Sequence, residues 1–167
     1  MTENEIKLLE IAKEIISLNR DLDARLTGSL MLAIMGINKR REASDIDIIY
    51  TYLCEKDDGF PCVPKGFKLV SMDGNRSEVD AVQFKNESGL KIEFMYSEEA
   101  VEEINGIKCG ELKYLIEAKQ LYAKNDLNDE SRQKHIDDLE YLYKNNDIES
   151  FFNQKTNNCY IFILPQK

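Results

Sequence analysis

The stretch from Leu26 to Tyr50 reads LTGSLMLAIMGINKRREASDIDIIY, and the rest of the chain is best interpreted outward from it. It opens on Gly28-Ser29, passes through an almost wholly apolar run, and closes on Asp45 and Asp47 set among isoleucines. A β-strand sends residues i and i+2 to one face, so Asp45 and Asp47 project together while Ile46, Ile48 and Tyr50 point the other way. At a rise of about 3.3 Å per residue their Cα atoms stand roughly 6.5 Å apart. Like charges held that close are unfavourable unless a cation lies between them. The pair points to a metal.

Upstream of the aspartates, Leu30 to Ile37 is apolar on every side, the pattern of a buried helix. Gly28-Ser29 then falls at or just before its N-terminus, where free backbone N–H groups and the positive end of the dipole favour an anion such as phosphate. Glycine permits close backbone approach, and serine both caps a helix and donates a hydroxyl hydrogen bond. Taken alone, Thr27-Gly28-Ser29 reads first as an ordinary loop and cap. Asn38 to Ser44 is a polar loop carrying the basic run Lys39-Arg40-Arg41, and Asp45 to Tyr52 is the strand.

With 167 residues, the chain suits one compact unit, divided here into 1–104 as a core and 105–167 as a helical portion packed on it. Apolar residues make up 43% and charged residues 32%, the balance of a globular protein. No apolar run approaches the roughly 20 residues of a membrane span, and the start MTENEIK lacks the basic beginning and apolar centre of a signal peptide. Both observations predict a cytoplasmic protein. The four cysteines, Cys54, Cys62, Cys109 and Cys159, form no CxxC pair, and there is one histidine, so the usual zinc sets are nearly excluded. A net charge of −9 argues against broad nucleic-acid binding, which depends on neutralising phosphates.

Outside the central stretch, residues 2–19 form an amphipathic helix by pattern, with Thr2 and Glu5 at capping-box spacing and Leu8, Leu9, Ala12, Ile15 and Ile16 on one stripe. Lys56 to Lys65 reads as an exposed excursion, and Phe67 to Ser71 as a short strand. Glu78 to Lys85 and Leu90 to Tyr96 alternate about a hairpin loop at Asn86 to Gly89. Glu93 lies on the face of the second strand opposite Leu90, Ile92, Phe94 and Tyr96, and reads equally as a solvent-facing residue. A short helix is expected over Ser97 to Ile104 and a turn at Asn105-Gly106. Glu111 to Lys124 is a helix with Leu112, Leu115, Ile116 and either Tyr122 or Ala123 buried. Lys119 shares that stripe and must snorkel, pair with a carboxylate, or meet an anion. Asn128 or Asp129 caps a last long helix to Lys144, which brings Asp138 and Lys134 to the rim of a cleft. A short helix over Asp147 to Phe152 and an apolar tail, Cys159 to Leu164, follow.

The order of these signals resembles the polymerase-β-like nucleotidyltransferase superfamily: Gly28-Ser29, a buried helix, then Arg41-x-x-Ser44-Asp45-Ile46-Asp47-Ile48-Ile49, and a later carboxylate in another strand. The 15 residues between Ser29 and Asp45 exceed the usual family spacer, which places a longer loop at Asn38 to Ser44. Further along, the chain is similar to abortive-infection toxin nucleotidyltransferases and their antibiotic-modifying relatives. Lys119 matches their helical lysine, and Arg132 to Leu139 matches an Arg-x-Lys-Asp-x-x-Asp-Leu element in which His135 replaces an aspartate and Asp138 matches the later one.

The resemblance implies an α+β (α/β) nucleotidyltransferase fold, a mixed β-sheet flanked by helices with a C-terminal helical portion, in a bacterial, toxin-antitoxin type of setting. It implies two Mg²⁺ ions at Asp45 and Asp47, with Glu93 as third ligand or general base and Asp80 as its rival. Gly28 and Ser29 would hold the β- and γ-phosphates of an NTP, Lys119 or Arg41 would stabilise developing charge, and Ser44, Lys134 and Asp138 complete the nucleotide site. The acceptor, a small molecule, tRNA or protein, is not legible. Two other readings use the same residues: a catalytically silent nucleotide-binding or interaction module, and a Mg²⁺-dependent phosphohydrolase.

Overall fold

The computed structural model of the chain describes residues 1–51, 61–73, 81–97, 101–125, 127–146 and 148. Asp80, the expected helix at Asp147 to Phe152 and the tail Cys159 to Leu164 lie wholly or mainly outside the described residues, as does the first half of the excursion Lys56 to Lys65.

The first helix, α1 (Glu3–Leu18), carries the expected capping box: the Glu5 N–H donates to Thr2 Oγ1 and the Thr2 N–H to Glu5 Oε2. Its apolar stripe of Leu8, Ala12 and Ile15 is buried. Asn19 ends it, donating its side-chain amide to the carbonyls of Ile15 and Cys62. A short strand that the pattern does not announce, β1 (Arg25–Thr27), leads directly into α2 (Gly28–Ile34). The helix was expected to run to Ile37. It stops earlier because the Gly36 N–H turns to the Ala33 carbonyl and the Ile37 N–H to the Leu32 carbonyl, the paired bonds of a Schellman end.

β2 (Ile46–Tyr50) is the middle of a seven-stranded mixed sheet. The others are β3 (Lys68–Asp73), β4 (Ala81–Lys85), β5 (Lys91–Tyr96), β6 (Glu102–Ile104) and β7 (Ile107–Cys109), in the order β3-β4-β5-β2-β1-β7-β6. β2 runs antiparallel to β1 and parallel to β5. Ile46, Ile48, Ile49 and Tyr50 are all buried, as suits a strand covered on both faces. The predicted hairpin forms, with β4 and β5 antiparallel and Asn86 closing the loop on Gly89 and Leu90.

The helix expected over Ser97 to Ile104 is overturned where the chain is described: Glu102–Ile104 is a strand paired antiparallel to β7. Asn105 and Gly106 both have positive φ, 52° and 76°, the conformation of a two-residue type I′ hairpin turn whose twist matches the flanking strands. β7 then joins the sheet beside β1. Over Glu102–Ile104, pairing with β7 decides the structure.

One face of the sheet carries Leu26, Ile46, Ile48, Val82, Phe84, Ile92 and Phe94 against α1 and α2, forming the larger core. A second core joins Leu32 and Ile37 to Leu112 and Ile116 of α3 (Leu112–Asn125) and to Leu139 and Leu142 of α4 (Asp129–Asn145). Ala123, rather than Tyr122, completes the stripe of α3, since Tyr122 is exposed. Asn128 is the cap of α4, its side chain accepting from the Ser131 N–H. No helix among the described residues is long and apolar enough to cross a membrane.

Candidate active site

Asp47 lies on the sheet face opposite the main core, and the neighbouring strands deliver its companions by register. Glu93 of β5 is its direct partner across the parallel ladder, and Thr27 of β1 stands opposite it on the other side. Asp45 precedes β2 by one residue. Glu93 therefore faces the aspartates rather than open solvent. Gln83, in register with Glu93, donates to its Oε1 at 3.1 Å, and Lys91 donates to Oε2 at 3.3 Å. The Lys91 ammonium also lies 3.9 Å from Asp45 Oδ2.

Gly28 makes room for this arrangement. Its φ is +69°, and a Cβ there would stand 1.9 Å from Asp47 Oδ2 and 2.8 Å from its Cγ. The backbone at the β1–α2 junction thus lies directly against the carboxylate, which only glycine allows. Burial, then repulsion from Asp45 and Glu93, pushes the Asp47 carboxyl up to about 7. Lys91 and Lys119 oppose that rise without cancelling it. Among the described residues no three carboxylate, imidazole or thiol groups converge into a ready-made metal cage. The donor set nevertheless fits a hard divalent cation: the cluster offers carboxylate oxygens, and its central member is held in a backbone cradle that a side chain would fill.

One residue beyond Gly28, the surroundings change sign. Ser29 lines a narrow cleft with Leu32, Lys39, Arg40, Arg41, Lys119, Asp138 and Leu142. Asp138, buried on α4, is its electrostatic centre. It pairs with Lys119 at 3.2 Å, with Arg40 Nε at 3.1 Å and with Arg41 at 3.2 Å, while Arg40 also reaches Asp137. Burial would raise the Asp138 carboxyl, but Arg41 and Lys119 outweigh it and hold the group down at about 2. The buried Lys119 thus resolves to the carboxylate-paired alternative.

Ser29 is not the cap expected of it. The cap position belongs to Thr27, which makes no side-chain capping bond, and Ser29 sits within the first turn. α2 is only seven residues long, so its dipole adds little and the nearby cations dominate any attraction for an anion. The structure brings Gly28, Asp45, Asp47 and Glu93 together on one side, and Ser29, Arg41, Lys119 and Asp138 on the other. Ser44 is exposed in the loop before Asp45. Lys134 is exposed on α4 and is not among the residues lining the cleft. His135 packs against the Tyr122 ring at 5.2 Å between centroids.

Four residues that the motifs did not single out as site members matter here. Lys91 enters because it shares a strand face with Glu93, a placement readable from period-two alternation. Arg40 joins Arg41 on Asp138. Lys39 reaches back to the buried Glu5 of α1, whose Oε1 also accepts the Ala43 N–H at 3.0 Å. Burial would raise the Glu5 carboxyl, but Lys39 and the Ala43 and Thr2 N–H groups lower it overall.

Among solved structures, the fold matches the protein JHP933 from Helicobacter pylori over 86% of this chain and 68% of that one, at a TM-score of 0.52 and 17% identity. It also matches the antibiotic-resistance factor ANT(2'')-Ia over 92% of this chain and 96% of that one, at 0.51 and 14%. An antigenic nucleotidyltransferase-like protein from Paracoccidioides brasiliensis aligns over 86% of this chain and 78% of its own, with a TM-score of 0.49 and 15% identity. No family model and no curated protein matches the sequence. The expected architecture is the observed one: the chain has the α+β nucleotidyltransferase fold, which among the described residues comprises a mixed seven-stranded sheet and four α-helices.

Proposed function

We propose that the protein is a Mg²⁺-dependent nucleotidyltransferase that moves a nucleoside monophosphate from an NTP to a hydroxyl of an acceptor, small molecule, tRNA or protein. The observation that carries this reading is the contact between Gly28 and Asp47. It ties the carboxylate cluster to the mouth of the cationic cleft, so that a metal-bound polyphosphate would meet both within one ligand's length.

In this reading Asp45, Asp47 and Glu93 would hold Mg²⁺, two ions in the complete complex. Held there, Mg²⁺ would supply charge neutralisation for the triphosphate and a lowered pKa for the attacking hydroxyl. The chain's own residues do the rest. The Ser29 hydroxyl donates to a phosphate oxygen. Arg40, Arg41 and Lys119 take charge that develops on the β- and γ-phosphates as the bond to the α-phosphate breaks and pyrophosphate leaves. Asp138 keeps those three cations aimed at one point in the absence of the nucleotide. Gln83 fixes Glu93 and thereby the side of the cluster nearest the incoming hydroxyl. Ser44 and Lys134 stand at the periphery, available to the acceptor rather than to the phosphates. A cytoplasmic location belongs to the same proposal, as does the division into a core, expected over residues 1–104, and a helical portion, expected over 105–167, with the boundary moved past β7, which pairs with β1 in the core's sheet.

The test is to incubate the protein with each α-labelled NTP, Mg²⁺ and a panel of acceptors, beside Asp45→Ala and Asp47→Ala. Transfer of label that both substitutions abolish is the expected result. Nucleotide binding indifferent to chelator and to both substitutions would sink the proposal. Mg²⁺-dependent binding without transfer would support a silent nucleotide-binding module, and release of inorganic phosphate alone a phosphohydrolase.

A further inference from the structure

The carboxylate cluster contains a cation of its own. Lys91 opens β5 two residues before Glu93, so both side chains leave the same face of the strand. Because Ile92 pairs with Ile46 across the parallel ladder, the residues just ahead of that pair, Lys91 and Asp45, stand side by side. The ammonium lies 3.3 Å from Glu93 Oε2 and 3.9 Å from Asp45 Oδ2. Glu93 is thereby engaged at both oxygens, one by Lys91 and the other by the Gln83 amide. Burial would lower the Lys91 pKa, but Glu93, Asp45 and Asp47 together raise it, so the side chain remains charged. The other nearby ammonium, Lys119, is committed to Asp138 and does not duplicate this role.

The charge count then changes. With all three carboxyls ionised, as metal binding requires, Asp45, Asp47 and Glu93 carry three negative charges and Lys91 returns one, leaving two, which a single divalent cation neutralises. We infer that Lys91 is a resident cation of the cluster, filling the place between Asp45 and Glu93 and limiting the nucleotide-free protein to one divalent ion, held at Asp47. This rests on reading Asp45, Asp47 and Glu93 as the metal-holding residues. A second ion enters only when the ammonium leaves its two carboxylates, and a polyphosphate gives its flexible four-carbon stem an anionic partner to move toward. Lys91 is a charge-setting residue here, and it makes occupancy of the second position conditional on nucleotide.

The experiment is a titration of the full chain with Mn²⁺ in the absence of nucleotide, following the loss of the free-ion EPR signal. Wild type is compared with Lys91→Met, Lys91→Gln and Lys91→Arg, each checked for folding by thermal unfolding. Wild type and Lys91→Arg are expected to bind one ion. The neutral variants are expected to bind a second ion, or to bind the first about tenfold more tightly, allowing for the screening of a side chain 37% exposed. If Met fails to fold, the Gln variant decides. Two ions on wild type, or neutral variants indistinguishable from wild type, would overturn the role of Lys91 while leaving the metal-holding reading intact. So would an Arg variant that behaves like Met. An absence of Mn²⁺ binding by every folded variant would overturn both.

Discussion

The two charged regions that meet at Gly28-Ser29 are balanced in opposite senses. On the Gly28 side, Asp45, Asp47 and Glu93 share one ammonium, and the carboxyl in the middle is forced up to about 7. On the Ser29 side, Arg40, Arg41 and Lys119 share Asp138, whose carboxyl is driven down to about 2. Two carboxylates with the same intrinsic chemistry move in opposite directions because one is buried beside its own kind and the other beside cations. The first region is short of positive charge and the second short of negative charge. In the proposed function a cation–polyphosphate complex would supply both.

The largest effect is expected from unbalancing the cationic side. Asp138→Ala leaves Lys119 buried without its partner and should cost about 4 kcal/mol in urea unfolding, with the half-exposed arginines relaxing to water. The wild-type carboxyl is depressed in the folded state, so its stabilisation is present above the unfolded pKa near 3.8 and is lost as pH falls toward 2. It amounts to about 2 kcal/mol. An unfolding profile from pH 5 to pH 2 that is no steeper for wild type than for Asp138→Ala would contradict this account.

A smaller effect should follow from crowding the acidic side. Gly28→Ala places a methyl group within 1.9 Å of Asp47 Oδ2 at a positive φ, and a loss of about 3 kcal/mol is expected together with loss of metal-dependent nucleotide binding. Thermal unfolding and nucleotide titration report the two separately. Unchanged binding in a folded Gly28→Ala protein would mean that Asp47 does not need the backbone cradle.

The smallest change has the opposite sign. Asp47→Asn removes the central charge and should stabilise the metal-free protein by about 2 kcal/mol at pH 8, half of the ~4 kcal/mol that linkage assigns to the raised carboxyl, because the buried amide still bears a desolvation cost. The folded-state pKa of Asp47 is raised, so its penalty is absent below about 3.8, grows as pH rises through that value and is complete above about 7. The gain from Asn should therefore vanish toward pH 4 in chelator-treated samples. A variant no more stable than wild type at pH 8 would show that Asp47 is relieved by some other group.

The acidic side was largely legible in the sequence. Period-two alternation placed Asp45 with Asp47 and set Glu93 opposite Ile92 and Phe94, and only the register Asp47 to Glu93 had to come from the fold. The cationic side was legible only in pieces. Lys119 on a buried stripe demanded a partner, but its partner lies 19 residues away on another helix, and Arg40 reaches Asp138 across 98. Such pairs are set by how α3 and α4 pack on α2, which no local pattern encodes. β1 escaped notice because three residues carry too little alternation, and β6 because Asn105-Gly106 has meaning only with a strand on each side. Lys134, matched to the site by motif and expected at a cleft rim, is exposed on α4.

Glu5 has a consequence for the loop that precedes Asp45. By holding Lys39 and the Ala43 N–H from the first turn of α1, with Asn4 reaching the Ala43 carbonyl, it ties both ends of that segment to a rigid helix. The conformational freedom of the loop is thus surrendered during folding rather than at ligand capture. An incoming ligand meets a segment already in place, and affinity is not diminished by the entropy of ordering it.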